Sequence, residues 1–278
     1  MRQLRAQRDC DSPLRVWQGL MRALVTGGAK RIGREIALYL ARRGADVAVH
    51  YSSSEGEAAK TVDDIIALGR KAVAVQADLL DEGAVSGLVA QAAAALGGPL
   101  TILVNNASIF EYDTVQSATK QSWDRAMGSN LRAPFLLTQE FAAQTPPAVS
   151  DEHGEPCAQG LIVNMIDQRV WKPTPEFMSY SLAKMALWAL TRTAAQGLAP
   201  HVRVNGIGPG PTVQGVRQSD THFARQRAAT ILGRGASPAD VTAALGFFMD
   251  SPSVTGQMIA VDGGQHLAWA TPDVLGVE

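Results

Sequence analysis

The stretch RALVTGGAKRIGREIALYLARRG, residues 22–44, decides the fold. Its apolar start predicts a short buried strand over residues 22–26, and TGGAKRIG follows as a glycine-rich turn that opens into a helix. Small residues in the turn let backbone amides approach a pyrophosphate, whose negative charge is stabilised at the N-terminus of a helix. The stretch therefore predicts a strand, turn and helix that bind a dinucleotide; a plain strand-to-helix turn is the alternative.

The rest of the chain repeats the alternation of strand and helix. Further strands are predicted over residues 46–50, 71–76, 100–104, 161–166, 201–206 and 254–261. Helices are predicted over residues 57–68, from about residue 81, and over residues 123–141, 177–198 and 238–249, the last with Ser237 as N-cap. This order predicts an α/β fold in a single domain, residues 21–278, with a doubly wound, right-handed parallel sheet of about seven strands.

Three segments stand apart from this pattern. Residues 1–20 lack clean periodicity and are expected to have little order, either as a basic arm or as a mis-assigned start ahead of Met21. Residues 208–213, GPGPTV, are predicted to be irregular because they are rich in proline and glycine. The polar residues 214–223 are predicted to form a mobile lid.

Composition excludes several classes of protein. The 278 residues carry a formal net charge of -1, which gives no general reason to expect nucleic acid or an anionic membrane as a partner. No apolar run is long enough for a membrane span, and the N-terminus lacks the apolar core of a signal peptide, so a cytoplasmic location is expected. The two cysteines form no disulfide framework, and the five histidines are scattered, so no metal site is predicted.

A helix in the second half of the chain carries two titratable groups. Tyr180 and Lys184 are four residues apart, so their side chains share one helix face. A neighbouring ammonium favours the ionised phenol and lowers its pKa, which would make Tyr180 a general acid or base near neutral pH. The alternative is a half-buried tyrosine and a solvated lysine on an ordinary helix.

The end of the second predicted strand indicates which dinucleotide is bound. A site specific for NAD places an acid there to hold the ribose 2′-hydroxyl, but HYSSS precedes the first carboxylate, Glu55. Hydroxyl groups together with Lys30 and Arg31 can bind a 2′-phosphate, which an acid would repel. NADPH is therefore expected rather than NADH, unless Lys30 and Arg31 are simply solvated.

Other strand ends and one helix carry further candidates. Asp78 can accept from the adenine amino group or cap the next helix. The Asn-Asn-Ala turn after the fourth strand keeps backbone close to a cofactor, and Phe110 follows within reach of a ligand. Asn130 is a polar residue in an apolar helix, where it needs hydrogen-bond partners; a structural role at a kink is the alternative.

Several motifs in one order point to a family. TGGAKRIG, Asp78, NNA, Asn130, YSLAK and GPG, spread over residues 22–264, resemble the short-chain dehydrogenase/reductase family. Most members place a serine about thirteen residues before the tyrosine, where its hydroxyl donates to a substrate carbonyl; here that position is Asp167. An ionised carboxylate has no proton to donate and opposes negative charge on a carbonyl oxygen. It suits a substrate with N–H donors or a C=N bond whose nitrogen becomes protonated.

A narrower resemblance is to the pteridine reductases, with the bacterial dihydromonapterin reductases similar. It is carried by TGxxKRxG, HY at the second strand end, NNASxF, the aspartate thirteen residues before the tyrosine, and RVNGxGPG. It implies that Tyr180 protonates a ring nitrogen, that Asp167 orients the phenol and contacts the pterin, and that Lys184 lowers the tyrosine pKa and binds the nicotinamide ribose. Asn130 would hold a water that reaches Lys184.

The same resemblance implies two sets of binding residues. Phe110 would stack on the pterin and Ser108 would add a polar contact, while Trp171 either closes the pocket or packs. The cofactor would be held by Thr26, Gly27, Lys30, Arg31, Ile32, Gly33, His50, Tyr51, Ser52, Ser53, Asp78, Leu79, Asn106, Ala107, Ser108, Lys184, Pro209 and Gly210.

The sequence thus predicts an NADPH-dependent reductase of a pterin or another C=N heterocycle. One alternative is an ordinary carbonyl reductase or alcohol dehydrogenase, in which burial raises the pKa of Asp167 enough to protonate it, or Asp167 swings aside. A non-catalytic cofactor-binding sensor is another, although a sensor has no need of Tyr180 and Lys184. The helix over residues 177–198 is apolar nearly all round, which implies burial on more than one side. The resemblance to the family implies that such helices pair between subunits, so a homodimer or homotetramer is expected.

Overall fold

The computed structural model describes residues 20–215 and 218–269. Residues 1–19 of the segment that is predicted to have little order lie outside these ranges. In the part that is described, one seven-stranded sheet carries helices on both faces. Among those residues, no helix is both long and apolar enough to cross a bilayer.

The sheet confirms the predicted fold class. Its strands, numbered here in chain order, are β1 (Arg22–Val25), β2 (Asp46–Tyr51), β3 (Ala72–Gln76), β4 (Ile102–Asn105), β5 (Gly160–Met165), β6 (Val202–Pro209) and β7 (Met258–Val261). They lie in the order β3-β2-β1-β4-β5-β6-β7, and every neighbouring pair is parallel. The strand order therefore reverses between β1 and β4, and a ligand-binding crevice is expected outside the carboxyl ends of these strands.

The helices form the two outer layers. They are α1 (Arg31–Arg42), α2 (Glu55–Ala67), α3 (Glu82–Val85), α4 (Leu88–Leu96), α5 (Lys120–Met127), α6 (Ala133–Gln144), α7 (Met178–Leu198), α8 (Asp220–Ala228) and α9 (Pro238–Asp250). The strand β1 shows how one strand serves both layers: Ala23 and Val25 pack with α1, α2 and α9, whereas Leu24 packs with α4 and α6. Both faces of β1 are apolar because both are covered.

Three predicted elements differ from the structure. One helix was expected over residues 123–141, but a π-helix over Gly128–Arg132 separates α5 from α6. The strand β6 continues to Pro209, within the segment predicted to be irregular, because a proline at the end of a strand removes only one donor from the ladder. The predicted lid contains the start of α8, which Ser219 caps by accepting from the His222 N–H.

Candidate active site

The turns that follow β1 and β4 are joined by side-chain hydrogen bonds. The Thr26 hydroxyl accepts from the backbone N–H groups of Asn106 (2.9 Å) and Ala107 (3.0 Å). In return, the Asn106 amide donates to the carbonyl oxygens of Thr26 (2.8 Å) and Gly27 (3.2 Å). Thr26 is buried, so it fixes the two turns from within the protein.

The glycine turn after β1 has no room for side chains. A Cβ on Gly33 would overlap the Gly27 carbonyl oxygen, and one on Gly27 would lie 3.1 Å from the Ala107 Cα. Gly27 also has φ +60°, a region that favours glycine. The bare backbone at the start of α1 fits a pyrophosphate, whose charge the helix N-terminus stabilises. The structure thus brings the sequence-predicted turn residues together at the crevice.

Arg31, in the turn TGGAKRIG of residues 26–33, forms hydrogen bonds within the protein. Its φ is +55°, and its guanidinium donates to the backbone carbonyls of Gln214 (2.8 Å) and Val213 (3.1 Å). The group therefore holds the segment after β6. A guanidinium has further N–H donors, and the predicted contact of Arg31 with a 2′-phosphate stays a prediction. The neighbouring Lys30 is exposed, as the same prediction requires.

His50 lies against the same turn and has both ring nitrogens engaged. Its Nδ1 accepts from the Gly27 N–H (3.1 Å), so its Nε2 carries the proton and donates to the Ala77 carbonyl (3.1 Å). Burial lowers the pKa of His50 to about 4, although the Ala77 hydrogen bond opposes this. A neutral His50 thus fixes the Gly27 turn relative to the end of β3, and its predicted contact with the cofactor stays a prediction.

The end of β2 presents hydroxyl groups at the edge of the crevice. Ser52 and Ser53 are exposed directly after Tyr51, the last residue of the strand. They occupy the positions at which an NAD site carries an acid. Serine has no negative charge, so neither residue would repel a 2′-phosphate.

The end of β3 carries two aspartates with different partners. Asp78 accepts from the Leu80 N–H (3.0 Å), whereas Asp81 caps α3 by accepting from the Gly83 N–H (2.8 Å). The alternative that Asp78 is the helix cap is therefore wrong, and its contact with adenine stays a prediction.

The remaining predicted cofactor residues lie at the ends of three elements. Ile32 is in the first turn of α1, and Leu79 is buried after β3. Pro209 ends β6, and the following Gly210 donates its N–H to the Val261 carbonyl at 2.9 Å. These positions place them beside the crevice formed by the carboxyl ends of the strands.

Asp167 and Tyr180 form the centre of the site. The Tyr180 hydroxyl donates to Asp167 Oδ2 at 2.8 Å, and the other carboxylate oxygen accepts from the Arg169 N–H at 2.8 Å. This second bond belongs to the turn that Asp167 itself caps at the end of β5. Both oxygens are thereby fixed, and the phenol points at a carboxylate.

The electrostatics of this pair differ from the expectation. Burial raises the pKa of Tyr180 well above its ordinary value, and the Asp167 charge and hydrogen bond raise it further, against the smaller opposing effects of Arg169 and Ser108. Burial likewise raises the pKa of Asp167, although its hydrogen bonds and the charges of Arg169 and Lys184 oppose this. The prediction of a lowered tyrosine pKa is wrong, because burial and the neighbouring carboxylate both raise this pKa.

The ammonium of Lys184 is bonded to a backbone carbonyl near the ring of Tyr180. It donates to the Met165 carbonyl (2.7 Å) and lies 5.6 Å from the centre of the Tyr180 ring. Lys184 is buried, and burial lowers its pKa to about 8, with the Asp167 charge opposing. A carbonyl thus holds the positive charge over the ring of Tyr180, while the hydroxyl bonds a carboxylate.

Asn130 shapes the loop that follows β4. Its side chain donates to the Ile109 carbonyl (3.0 Å) and accepts from the Ile109 N–H (3.1 Å). Asn130 lies in the π-helix, so these contacts agree with the alternative of a structural role at a kink. The water that would connect Asn130 to Lys184 stays a prediction. By fixing Ile109, Asn130 sets the positions of its neighbours Ser108 and Phe110.

An aromatic cluster forms one wall of the site. The ring of Phe110 stacks on Phe177 (4.1 Å between centres, 7° between planes) and meets the ring of Tyr180 edge-on at 4.7 Å. Phe110 is 45% exposed, so a flat ligand can reach it. Trp171 is exposed as well, and the centre of its ring lies 4.9 Å from that of His266. Trp171 therefore packs against the 3-10 turn Gln265–Leu267.

Comparison with known proteins identifies the family. The short chain dehydrogenase family matches residues 21–224. The chain belongs to the short-chain dehydrogenase family. Among its relatives, an uncharacterized oxidoreductase of Methylorubrum extorquens is 36% identical over 251 residues, 87% of this chain and 96% of the relative. The 3-oxoacyl-[acyl-carrier-protein] reductase FabG of Staphylococcus aureus is 30% identical over 250 residues, 88% of this chain and 98% of the relative.

A solved structure is more similar in sequence than these two relatives. The crystal structure of FolM alternative dihydrofolate reductase 1 from Brucella canis, complexed with NADP, is 45% identical, with a TM-score of 0.84. The match covers 91% of this chain and 97% of that one. This short-chain dehydrogenase is therefore an oxidoreductase by family, and the predicted resemblance to the family is confirmed.

Sequence reasoning missed one residue of this short-chain dehydrogenase site. Asp113, which is buried, accepts from the Ser179 N–H (3.1 Å) and the Ser122 hydroxyl (3.2 Å). Burial raises the pKa of Asp113, but its hydrogen bonds outweigh this and hold the pKa below its ordinary value. Phe177, which precedes α7 with φ +55°, gives no side-chain cap. Asp113 therefore caps the helix that carries Tyr180.

Replacing Asp113 with alanine should destabilise the fold and lower kcat together. The change leaves the Ser179 N–H without its acceptor, at a cost of about 1–3 kcal/mol in the free energy of unfolding, and it frees the start of α7 next to Tyr180. Asp113→Asn keeps an acceptor oxygen and should restore most of kcat. Urea unfolding and steady-state kinetics measure the two effects.

A matched control comes from another helix cap. Asp240 accepts from the Ser237 N–H (2.7 Å) at the start of α9, a helix that packs with α1 on the other side of the sheet from α4 and α6. Asp240→Ala should lower stability without changing kcat. Equal losses of kcat in both alanine variants would show that Asp113 contributes stability alone.

Proposed function

We propose that the protein is an NADPH-dependent reductase of a dihydropteridine or a similar C=N heterocycle. One observation carries this: the Tyr180 hydroxyl donates to Asp167 Oδ2 at 2.8 Å. A carboxylate at this place accepts N–H groups of a ligand and opposes charge on a ketone oxygen. The 45% identity with an alternative dihydrofolate reductase supports the same substrate class.

The cofactor proposal rests on the crevice and on that neighbour, which was crystallised with NADP. The backbone of Gly27 and Gly33 fits the pyrophosphate, and the end of β2 offers Ser52 and Ser53 where an NAD site carries an acid. The exposed Lys30 adds a positive charge at the turn. When bound, NADPH supplies the hydride for the carbon of the C=N bond.

The protein's own groups handle the proton. A phenol carries its proton at neutral pH, so Tyr180 meets the substrate as a donor. Without substrate the hydroxyl donates to Asp167 Oδ2, and with substrate bound it turns from this oxygen to the ring nitrogen, which takes the proton. The ammonium of Lys184, near the ring, then stabilises the phenolate until a proton from solvent restores the phenol.

A carbonyl reductase is the second candidate, and two observations favour it. Burial raises the pKa of Asp167, and a protonated carboxyl group can donate to a ketone oxygen as a serine does. The relative FabG is named for reduction of a 3-oxoacyl group, and it shares 30% identity with this chain.

Parallel turnover assays separate the candidates. Purified protein is mixed with NADPH and either a dihydropteridine or a panel of ketones, and the loss of NADPH absorbance is followed. We expect kcat/KM to be highest with the dihydropteridine. Turnover of ketones alone would establish the second candidate, and tight NADPH binding without turnover of any compound would indicate a sensor.

A homodimer or homotetramer is part of the same proposal. The helix α7 leaves Leu182 exposed, and Trp123 is exposed on α5, which packs beside α7. Apolar side chains on neighbouring helices favour a contact between subunits. Light scattering that gives the mass of one chain would contradict it.

A further inference from the structure

Arg169 lies beside the proton donor, yet none of the roles above uses its side chain. It belongs to a short 3-10 turn, Gln168–Val170, directly after Asp167. Its guanidinium carbon lies 5.2 Å from the centre of the Phe177 ring and 5.9 Å from that of Phe110. Because the two rings are stacked 4.1 Å apart, these distances place the cation beside their edges, at the rim of the aromatic wall that a flat ligand would contact.

The guanidinium keeps donors for a further partner. Its Nη1 group bonds the Thr174 hydroxyl. Within residues 20–215 and 218–269, no other side chain or carbonyl accepts from it, and the side chain is half-buried. A guanidinium presents its N–H groups as a planar fork that matches a carboxylate. The Nε and Nη2 groups of Arg169 are thus available at the outer edge of the site.

The charged side chains around the Tyr180 phenol carry a net positive charge. Asp167 is one anion, whereas Lys184 and Arg169 are two cations that both act on it. The ammonium of Lys184 is buried and bonded to a carbonyl, so the excess is accessible at Arg169. Glu111, in the loop after β4, does not neutralise it, because this acid is paired with Arg125 at 3.0 Å.

We propose that Arg169 is a specificity residue that binds a carboxylate of the substrate, carried on a side chain outside the reducible ring. The inference rests on the proposed function and narrows it to dihydropteridines with an anionic side chain. The aromatic wall takes the flat ring, and Arg169, at the edge of that wall, takes the negative charge. A neutral dihydropteridine would use the ring contacts alone.

The test compares two substrates that differ in charge. Dihydrofolate carries carboxylates on its side chain, whereas dihydrobiopterin has a neutral side chain. The wild-type protein should have the higher kcat/KM with dihydrofolate. Arg169→Met should lower kcat/KM for dihydrofolate by about 10- to 100-fold, mainly through KM, because a charge-assisted hydrogen bond is lost. Its kcat/KM for dihydrobiopterin should change by less than about threefold.

Two further variants exclude a purely structural effect. Arg169→Lys keeps the charge but not the planar fork, and should recover part of the loss with dihydrofolate. Lys172→Met removes a different cation of the same loop, one whose ammonium bonds the Ala268 carbonyl, and should leave the preference unchanged. Unfolding curves show whether each variant is folded.

The outcomes separate this inference from the proposed function. If Arg169→Met lowers kcat/KM for both substrates equally, or for neither, the carboxylate contact is overturned while the reductase proposal stands. If the folded wild-type protein reduces neither dihydropteridine, both proposals fail. A loss confined to dihydrofolate, with partial recovery in Arg169→Lys, supports the contact.

Discussion

Replacing Tyr180 with phenylalanine is expected to lower kcat by about two to four orders of magnitude, the usual contribution of a positioned proton donor. The variant loses the hydroxyl that donates to Asp167 Oδ2 and keeps the ring that meets Phe110 edge-on. Packing is therefore preserved, and the affinity for NADPH should change by less than about threefold. Steady-state kinetics and a fluorescence titration with NADPH measure the two quantities.

Tyr112→Phe is the matched control for this variant. The ring of Tyr112 also meets an aromatic ring edge-on, that of Phe177, but Tyr112 is exposed, and the phenol that donates to Asp167 belongs to Tyr180. Its kcat should stay near the wild-type value. If Tyr180→Phe retained more than about a tenth of kcat, another group would have to supply the proton.

Asp167→Ser is expected to change which substrate is reduced. The serine removes the anion and supplies a hydroxyl donor, so kcat/KM for a dihydropteridine should fall by about 100-fold, within the range of one strong transition-state hydrogen bond. Turnover of ketones should rise, because the developing oxyanion no longer meets a carboxylate. The same NADPH assay with both substrate types gives the ratio.

Asp167→Asn separates charge from shape in that experiment. Asparagine keeps the side-chain length and an oxygen for the Arg169 N–H, but carries no charge. If the charge matters, the asparagine variant should lose most of the dihydropteridine activity. Unchanged turnover in both variants would remove Asp167 from the reaction and leave a generic reductase.

The sheet could be predicted from the sequence because its signals are local. An apolar run bounded by glycine or proline marks several of the strands, and both faces of β1 are apolar, as a covered parallel strand requires. The N-cap Ser237 could be predicted for the same reason, because a serine directly before a helical pattern is a local signal, and its side chain accepts from the Asp240 N–H.

Contacts between residues far apart in the chain could not be predicted from the sequence. The carbonyls that hold Arg31 belong to Val213 and Gln214, and the carboxylate that caps α7 belongs to Asp113. No spacing rule connects such positions along the chain. These contacts therefore appear only when the folded structure brings the segments together.

The pKa of Tyr180 was mispredicted for a related reason. A spacing of four residues places Lys184 on the right helix face, but its ammonium bonds the Met165 carbonyl, which belongs to β5. The spacing also says nothing of burial, which is the largest cause of the raised tyrosine pKa.

The tight glycine turn has a consequence for protein engineering. Because any side chain at Gly33 would collide with the Gly27 carbonyl, altering cofactor preference through that turn would disrupt the crevice itself. The exposed Ser52 and Ser53 can be exchanged without disturbing the core. A redesign toward the cheaper coenzyme NADH would thus begin with an acidic residue at the end of β2.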